Sequence, residues 1–257
     1  MKVGDITAAL EVFAPLRIQE EWDNSGLLIG SAEDEVHGVL VGFDCTPELI
    51  DEAVEKGCDM VVTHHPLIFK GIRRINAEDP VGAAVMRAVR FGVAVYAAHT
   101  TADKVIAGVS GAMARRLGLR DVSFMVDEGG YGFGAVGTLP HPMTGEEAIG
   151  YVKGQFGLQA VRASKPVARV ERVAVCGGSG ASEIDAARDT GAQLYVSGDI
   201  SYHRFFTPEG FMVLDIGHFE SEVDIVDILC KVISEKFPTF AVRKSECLGR
   251  SNPVRYY

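Results

Sequence analysis

Four short stretches hold side chains whose types and spacing could do metal or proton-transfer chemistry. "THHP" sets His64 and His65 side by side before Pro66, and "AHTTAD" sets His99 four residues ahead of Asp103. "SGDISYH" repeats that spacing with Asp199 and His203, and "GHFESE" repeats it with His218 and Glu222, Glu220 lying between. Each stretch closes an apolar run that reads as a strand, and α/β proteins keep their chemistry at strand exits. Neighbouring residues on a strand point to opposite faces, so His64 and His65 share a pocket only if the strand has ended. Pro66, which cannot donate to a sheet ladder, marks that end.

Residues four apart share one face of a helix about one turn along, so each pair could hold one ion or act on one group. Neutral imidazole and carboxylate suit zinc, iron, manganese or nickel. A mononuclear open site takes about three protein ligands. At least five candidates stand here at strand exits, enough for two divalent ions roughly 4 Å apart bridged by a carboxylate. Such a pair activates a water and polarises a substrate oxygen. The bland alternative is that a histidine at a strand exit is a satisfied polar residue, and that Asp103 or Asp199 caps the helix after it. That alternative is adopted for His37 and His141, which are expected in loops and have no candidate partner at that spacing.

Strands and helices alternate around these stretches. "VLVGFD" (39–44), "MVVTHH" and "VAVYAAHT" (93–100) read as strands. They are separated by the helices "TPELIDEAVEKG", with Thr46 as N-cap and Pro47 in the first turn, and "DPVGAAVMRAVRFG", opened by Asp79-Pro80. A further helix is expected to run from the third strand to about Gly118. The second half runs in the same order, with strands "RVAVCGG", "QLYVSGD" and "MVLDIGH" and a long final helix from "SEVDIVDILC". A βα pattern written twice implies parallel strands and an internal duplication, hence an α/β fold of two similar βα-repeat domains. The boundary is expected near Val126, giving domains 1–125 and 126–257, with the C-terminal helix and strand free to return to the first. "CGGSG" (176–180) lacks the Lys-Ser/Thr of a P-loop and the third glycine of a dinucleotide fingerprint, so it reads as a tight turn. "FKGIRR" puts Lys70, Arg73 and Arg74 beside the histidine pair, where they could attract a phosphate or carboxylate, or be a solvated loop.

Composition narrows the classes. In 257 residues, hydrophobic side chains make up 47% and charged ones 23%, which excludes wholesale disorder. A net charge of -10 argues against nucleic acid as a partner, and a small-molecule substrate is the expected partner. Five scattered cysteines without a C-x-x-C pair argue against a disulfide framework or thiolate zinc site and for a reducing, cytoplasmic location. No signal peptide or membrane span is expected.

In "EEWDNSGLLIG", "GFDCTPELIDEA", "THHPLIF", "AHTTAD", "VAVCGGSG", "SGDISYH", "DIGHFESE" and the terminal "NPV", in this order, the chain resembles the NIF-three-like (NGG-interacting-factor-like) family of dinuclear-metal proteins, also described as GTP cyclohydrolase type 2 homologues. The resemblance implies two similar α/β domains with two metal ions in the cleft between them. The ligands would be His64, His65, Asp103, His218 and Glu222, with Glu222 as the bridge. His99, Asp199 and His203 would lie beside the metals as orienting or proton-transfer groups. It also implies a homo-oligomer, a hexameric ring. Longer relatives carry a domain inserted between the halves, for which this chain is too short, and Thr101-Ala102 stands where Asn-Leu is expected. Two functions follow as expectations. One is a metal-dependent hydrolase acting on a small, nucleotide-like substrate through a metal-bound hydroxide. The other is a non-catalytic metal-binding regulatory or scaffold protein.

Overall fold

The computed structural model describes residues 1–255. Along the chain the elements are α1 (Val3–Phe13), β1 (Gly26–Ile29), β2 (Gly38–Val41), α2 (Pro47–Glu55), β3 (Met60–Thr63), α3 (Pro80–Phe91), β4 (Ala94–Ala97) and α4 (Thr100–Asp103). There follow α5 (Val109–Arg116), β5 (Arg120–Phe124), β6 (Ala135–Met143), α6 (Gly145–Phe156), β7 (Arg162–Ala163) and β8 (Val170–Val175). The chain closes with α7 (Ile184–Asp189), β9 (Leu194–Ser197), β10 (Met212–Asp215), α8 (His218–Glu222), α9 (Ile225–Lys236), β11 (Ala241–Lys244) and α10 (Leu248–Ser251). Helix starts follow their sequence signals. Thr46 accepts from Leu49 N at 3.3 Å ahead of Pro47, and Asp79 accepts from Gly82 N at 2.8 Å ahead of Pro80. Thr144 and Glu147 form a reciprocal capping box at α6. Among the described residues no helix is long and apolar enough to cross a membrane.

The chain divides into two compact units. The first comprises Met1–Ala102 together with the segment from Ile225 onward, and the second Asp103–Asp224. The neighbourhood of Val126 is a hairpin inside the second sheet, because β5 and β6 pair antiparallel on either side of it. The long C-terminal segment returns to the first unit because β11 finds an open parallel edge on β2.

Both sheets contain the same four-strand arrangement. In the first unit the order is β1-β4-β3-β2-β11, with β2, β3 and β4 parallel and β1 antiparallel to β4. In the second it is β5-β6-β8-β9-β10-β7, with β8, β9 and β10 parallel and β7 antiparallel to β10. The antiparallel strand precedes the three parallel ones in sequence in both cases, as a duplicated unit requires. The parallel strands read as near-continuous apolar runs because both faces are covered. In the second sheet Val173, Val175, Leu194, Val196, Met212 and Leu214 enter one core, while Ala174, Tyr195 and Val213 enter the other.

The expected single helix from residue 100 to about 118 is broken into α4 and α5. The Lys104 carbonyl accepts from Gly132 N at 2.9 Å rather than from a residue four along. The Lys104 side chain is buried and paired with Glu128 at 2.7 Å beneath the Tyr131 and Phe133 rings. A buried ammonium held in this way fixes the chain direction, and α5 restarts at Gly108.

The returning C-terminal segment is clipped by Glu52 of α2. Its buried carboxylate accepts from Ser245 Oγ at 2.6 Å and Glu246 N at 2.8 Å, and lies 3.2 Å from Lys56 Nζ. Burial pushes the Glu52 carboxyl up, but these donors outweigh it and hold the pKa below the ordinary value. A depressed folded-state pKa gives stabilisation present above the unfolded-state value and lost as pH falls through the folded one. Glu52→Ala is therefore expected to cost about 1–3 kcal/mol in urea denaturation at neutral pH, with the difference from wild type shrinking as pH falls below about 4. Equal stability at neutral pH would show that the clip contributes nothing.

Candidate functional site

In the first unit the β3 exit turns so that His64 N and His65 N both donate to Phe43 O, at 3.1 and 3.2 Å. The ladder is over at this point, and the two imidazoles come onto one side. Their centroids are 4.8 Å apart, and each lies 5.5 Å from the ring of His99 at the neighbouring β4 exit. Each of the three rings has Nδ1 against an oxygen that can only accept. His64 Nδ1 lies 2.9 Å from Ala98 O, His65 Nδ1 2.7 Å from Asp44 Oδ1, and His99 Nδ1 2.7 Å from Asp23 Oδ1. Carbonyl and carboxylate oxygens require Nδ1 to carry a proton, so in the neutral ring Nε2 is the lone-pair nitrogen. Metal-ligating histidines are ordinarily oriented in this way.

Asp23 is the most heavily bonded of these acceptors. It receives Ser25 Oγ at 2.7 Å, Thr100 Oγ1 at 2.5 Å and Thr100 N at 3.1 Å in addition to His99. Spacing among candidate ligands did not reveal Asp23 or Asp44, because neither stands four residues from a histidine. The available signals were an aspartate closing the strand "VGFD" and the "WDN" stretch of the family resemblance.

In the second unit His218 and Glu222 lie one turn apart on α8, with Nε2 and Oε2 3.0 Å from each other, as the spacing requires. His218 Nδ1 is 2.8 Å from Asp199 Oδ2. Asp199 and His203 do not form the expected pair. Asp199 takes φ +51° and Ser201 is extended, so no helical turn joins them. Asp199 instead serves His218, and its left-handed backbone aims the carboxylate at that ring. Non-glycine residues held in this region cost of order 1 kcal/mol and cluster at functional sites. The His203 ring packs on Tyr202 and Phe206, both strongly exposed. Asp103 ends α4, and it shares with Glu222 the neighbourhood of Cys176. The buried Cys176 thiol is pushed up to about 12, by burial first and then by the carboxylates Asp103, Glu183 and Glu222.

"CGGSG", which reads as a turn in the sequence, is the seat of Glu222. A Cβ on Gly178 would lie 2.2 Å from Glu222 Oε1, and one on Gly177 would lie 2.2 Å from Val109 Cγ1 and 3.1 Å from Glu222 Cγ. Gly178 also has φ +62° and donates its N–H to Ser221 Oγ at 2.9 Å, which fixes the residue before Glu222. Gly178→Ala is expected to cost at least about 1–2 kcal/mol from backbone handedness alone and to displace the carboxylate. Urea denaturation together with elemental analysis checks this, and a variant with unaltered stability and metal content would contradict it.

A family model described as Duf34/NIF3 (NGG1p interacting factor 3) matches residues 1–251. The chain belongs to the NIF3 family. Among NIF3 relatives, the "GTP cyclohydrolase 1 type 2 homolog" of Clostridium acetobutylicum is 33% identical over 98% of this chain and 97% of its own length. The protein of the same name from Clostridium perfringens is 32% identical over 92% of each. Staphylococcus aureus protein SA1388 superposes with a TM-score of 0.91 at 27% identity, covering 100% of this chain and 99% of its own. A Bacillus cereus protein related to NIF3 gives 0.91 at 21% identity, a likeness of fold, over 100% of this chain and 99% of its own. The NIF3 membership and the two-sheet α/β fold agree with the sequence reading.

Proposed function

We propose that this NIF3 protein is a dinuclear metal-dependent hydrolase. The supporting observation is the chemistry of the donor set. Three histidines in the first unit each have Nδ1 against a carbonyl or carboxylate oxygen, which in the neutral ring leaves Nε2 to coordinate, while His218 in the second unit has Nδ1 against Asp199 and Nε2 3.0 Å from Glu222 Oε2. His64, His65, Asp103, His218 and Glu222 are the residues that would hold the ions. When bound, divalent cations such as zinc, iron, manganese or nickel supply a Lewis acid that activates water at neutral pH.

The chain's own residues do the rest. Asp44 and Asp199 orient His65 and His218. Asp23 holds the proton on His99 Nδ1, so His99 Nε2 can accept a proton and return it to a leaving group. His203, whose ring partners among the described residues are the exposed Tyr202 and Phe206, is the weaker of the two proton carriers expected. The relatives' name makes ring-opening hydrolysis of a nucleotide the first reaction to test. A hexameric ring in the cytoplasm completes the reading, and light scattering on the purified protein tests the assembly.

Elemental analysis of protein purified without chelator is expected to find about two transition ions per chain. The double variant His64→Ala with Glu222→Ala is expected to lose both, together with turnover of nucleotides, phosphoesters or cyclic amides. Full metal in that variant would end the dinuclear reading. Metal present without turnover would favour the non-catalytic scaffold.

A further inference from the structure

Two exposed rings stand against the histidine that the proposed mechanism makes the proton carrier. Trp22 is 58% exposed and Phe69 44%, whereas large aromatic side chains ordinarily bury most of their area. The Trp22 centroid lies 5.9 Å from Phe69 and 6.0 Å from His99, and Phe69 lies 5.9 Å from His99, all edge to face. The three rings brace one another and leave indole and phenyl area open. Their backbones are fixed as well. Asp23, next to Trp22, is bonded to His99 and Thr100, and Asn24 Nδ2 donates at 2.5 Å to Ile68 O, next to Phe69.

Immediately after Phe69 come Lys70, Arg73 and Arg74. All three are exposed, and among the described residues none has a hydrogen-bond, ion-pair or ring partner, in a chain of net charge -10. Rigid open rings beside unpaired cations complement one kind of ligand. A cation would be repelled by the loop, an aliphatic anion would leave the rings unused, and a neutral ring would leave the charges unused.

We propose that Trp22 and Phe69 form a platform for the planar heteroaromatic ring of an anionic ligand, with Lys70, Arg73 and Arg74 meeting its phosphate or carboxylate. This rests on the metal-centre reading for its role in catalysis, since a ring seated there lies beside His99. It assigns substrate recognition to residues outside the ligand set.

Trp22 is the chain's single tryptophan, so its emission reports on this place alone. The experiment titrates metal-replete full-length protein, with metal content measured on the same sample. The probes are guanosine 5′-monophosphate, quinoline-2-carboxylate, guanosine and ribose 5-phosphate. The nucleotide and the quinoline acid are expected to change Trp22 emission saturably, while guanosine and ribose 5-phosphate bind at least about tenfold more weakly. Phe69→Leu is expected to weaken both ring-bearing anions by between about fivefold and a hundredfold, with metal content unchanged. Followed by equilibrium dialysis, Trp22→Phe should keep most of the affinity that Trp22→Leu loses. The pair Lys70→Glu with Arg73→Glu should weaken the two ring-bearing anions and leave guanosine unaffected.

Ribose 5-phosphate binding as well as the nucleotide, unchanged affinity in Phe69→Leu, or no saturable response from metal-replete protein would overturn the platform and leave the metal centre standing. Ring binding with the predicted dependences in protein that holds no metal would support the platform and sink the metal centre instead.

Discussion

Asp23→Ala is expected to lower the unfolding free energy by about 3–5 kcal/mol in urea denaturation at neutral pH. The Asp23 side chain has no exposed area, and its carboxylate gathers His99, Ser25 and Thr100 within 2.5–3.1 Å. Removing it leaves those donors without their acceptor in a space poor in water, and hydrogen bonds to a charged group are worth about 1.5–3 kcal/mol each before their mutual dependence is counted. Burial pushes the Asp23 carboxyl up. The donors, His99 first among them, outweigh burial and hold the pKa well below the ordinary carboxylate range. Because the folded-state pKa is the lower one, the stabilisation is complete above the unfolded-state value, near 3.9, and is lost as pH falls below it. The gap between wild type and the variant should therefore narrow in acid. Asp23→Asn, which keeps the shape and loses the charge, should fall between the two. A gap that widened in acid would reverse the sign of this account, and the absence of a gap at neutral pH would remove its premise.

The second large effect separates stability from function. At Asp199 the backbone sits at φ +51°, a conformation glycine adopts without strain, so Asp199→Gly is expected to raise stability by up to about 1 kcal/mol. The same change removes the acceptor 2.8 Å from His218 Nδ1, leaving the ring free to rotate or to change tautomer. Loss of such an orienting carboxylate typically costs about 10–100-fold in metal affinity. The variant should be at least as stable as wild type toward urea without added metal, and should require correspondingly more zinc or manganese to reach half occupancy. Unchanged metal affinity would show that His218 is oriented by something other than Asp199.

Much of the architecture was legible from residue pattern alone. Thr46-Pro47 and Asp79-Pro80 announced two helix starts because capping is local, needing only residues within one turn. The parallel strands were legible because burial on both faces demands uninterrupted apolar runs. The i, i+4 spacing predicted the His218–Glu222 pair correctly, since α8 supplies the helical turn that the spacing assumes. The same spacing misled at Asp199–His203, where a single left-handed residue followed by extended backbone removes that turn. The break at Lys104 was likewise hidden, because it depends on Glu128, Tyr131 and Phe133 more than twenty residues away.

The sequence by itself determined the kinds of atoms available for chemistry, the alternation of elements, the duplication and the family, all properties of residue identity and short-range spacing. Only the tertiary structure decided which acceptor each imidazole received. Asp23 with His99, Asp44 with His65 and Asp199 with His218 are joined across 76, 21 and 19 positions. It also decided that glycines reading as a plain turn at 177–178 are required by the close approach of Glu222. Pairings of this kind arise when parallel strands bring their exits side by side, and the order of strands in a sheet is set by packing of the whole unit, which no local stretch encodes.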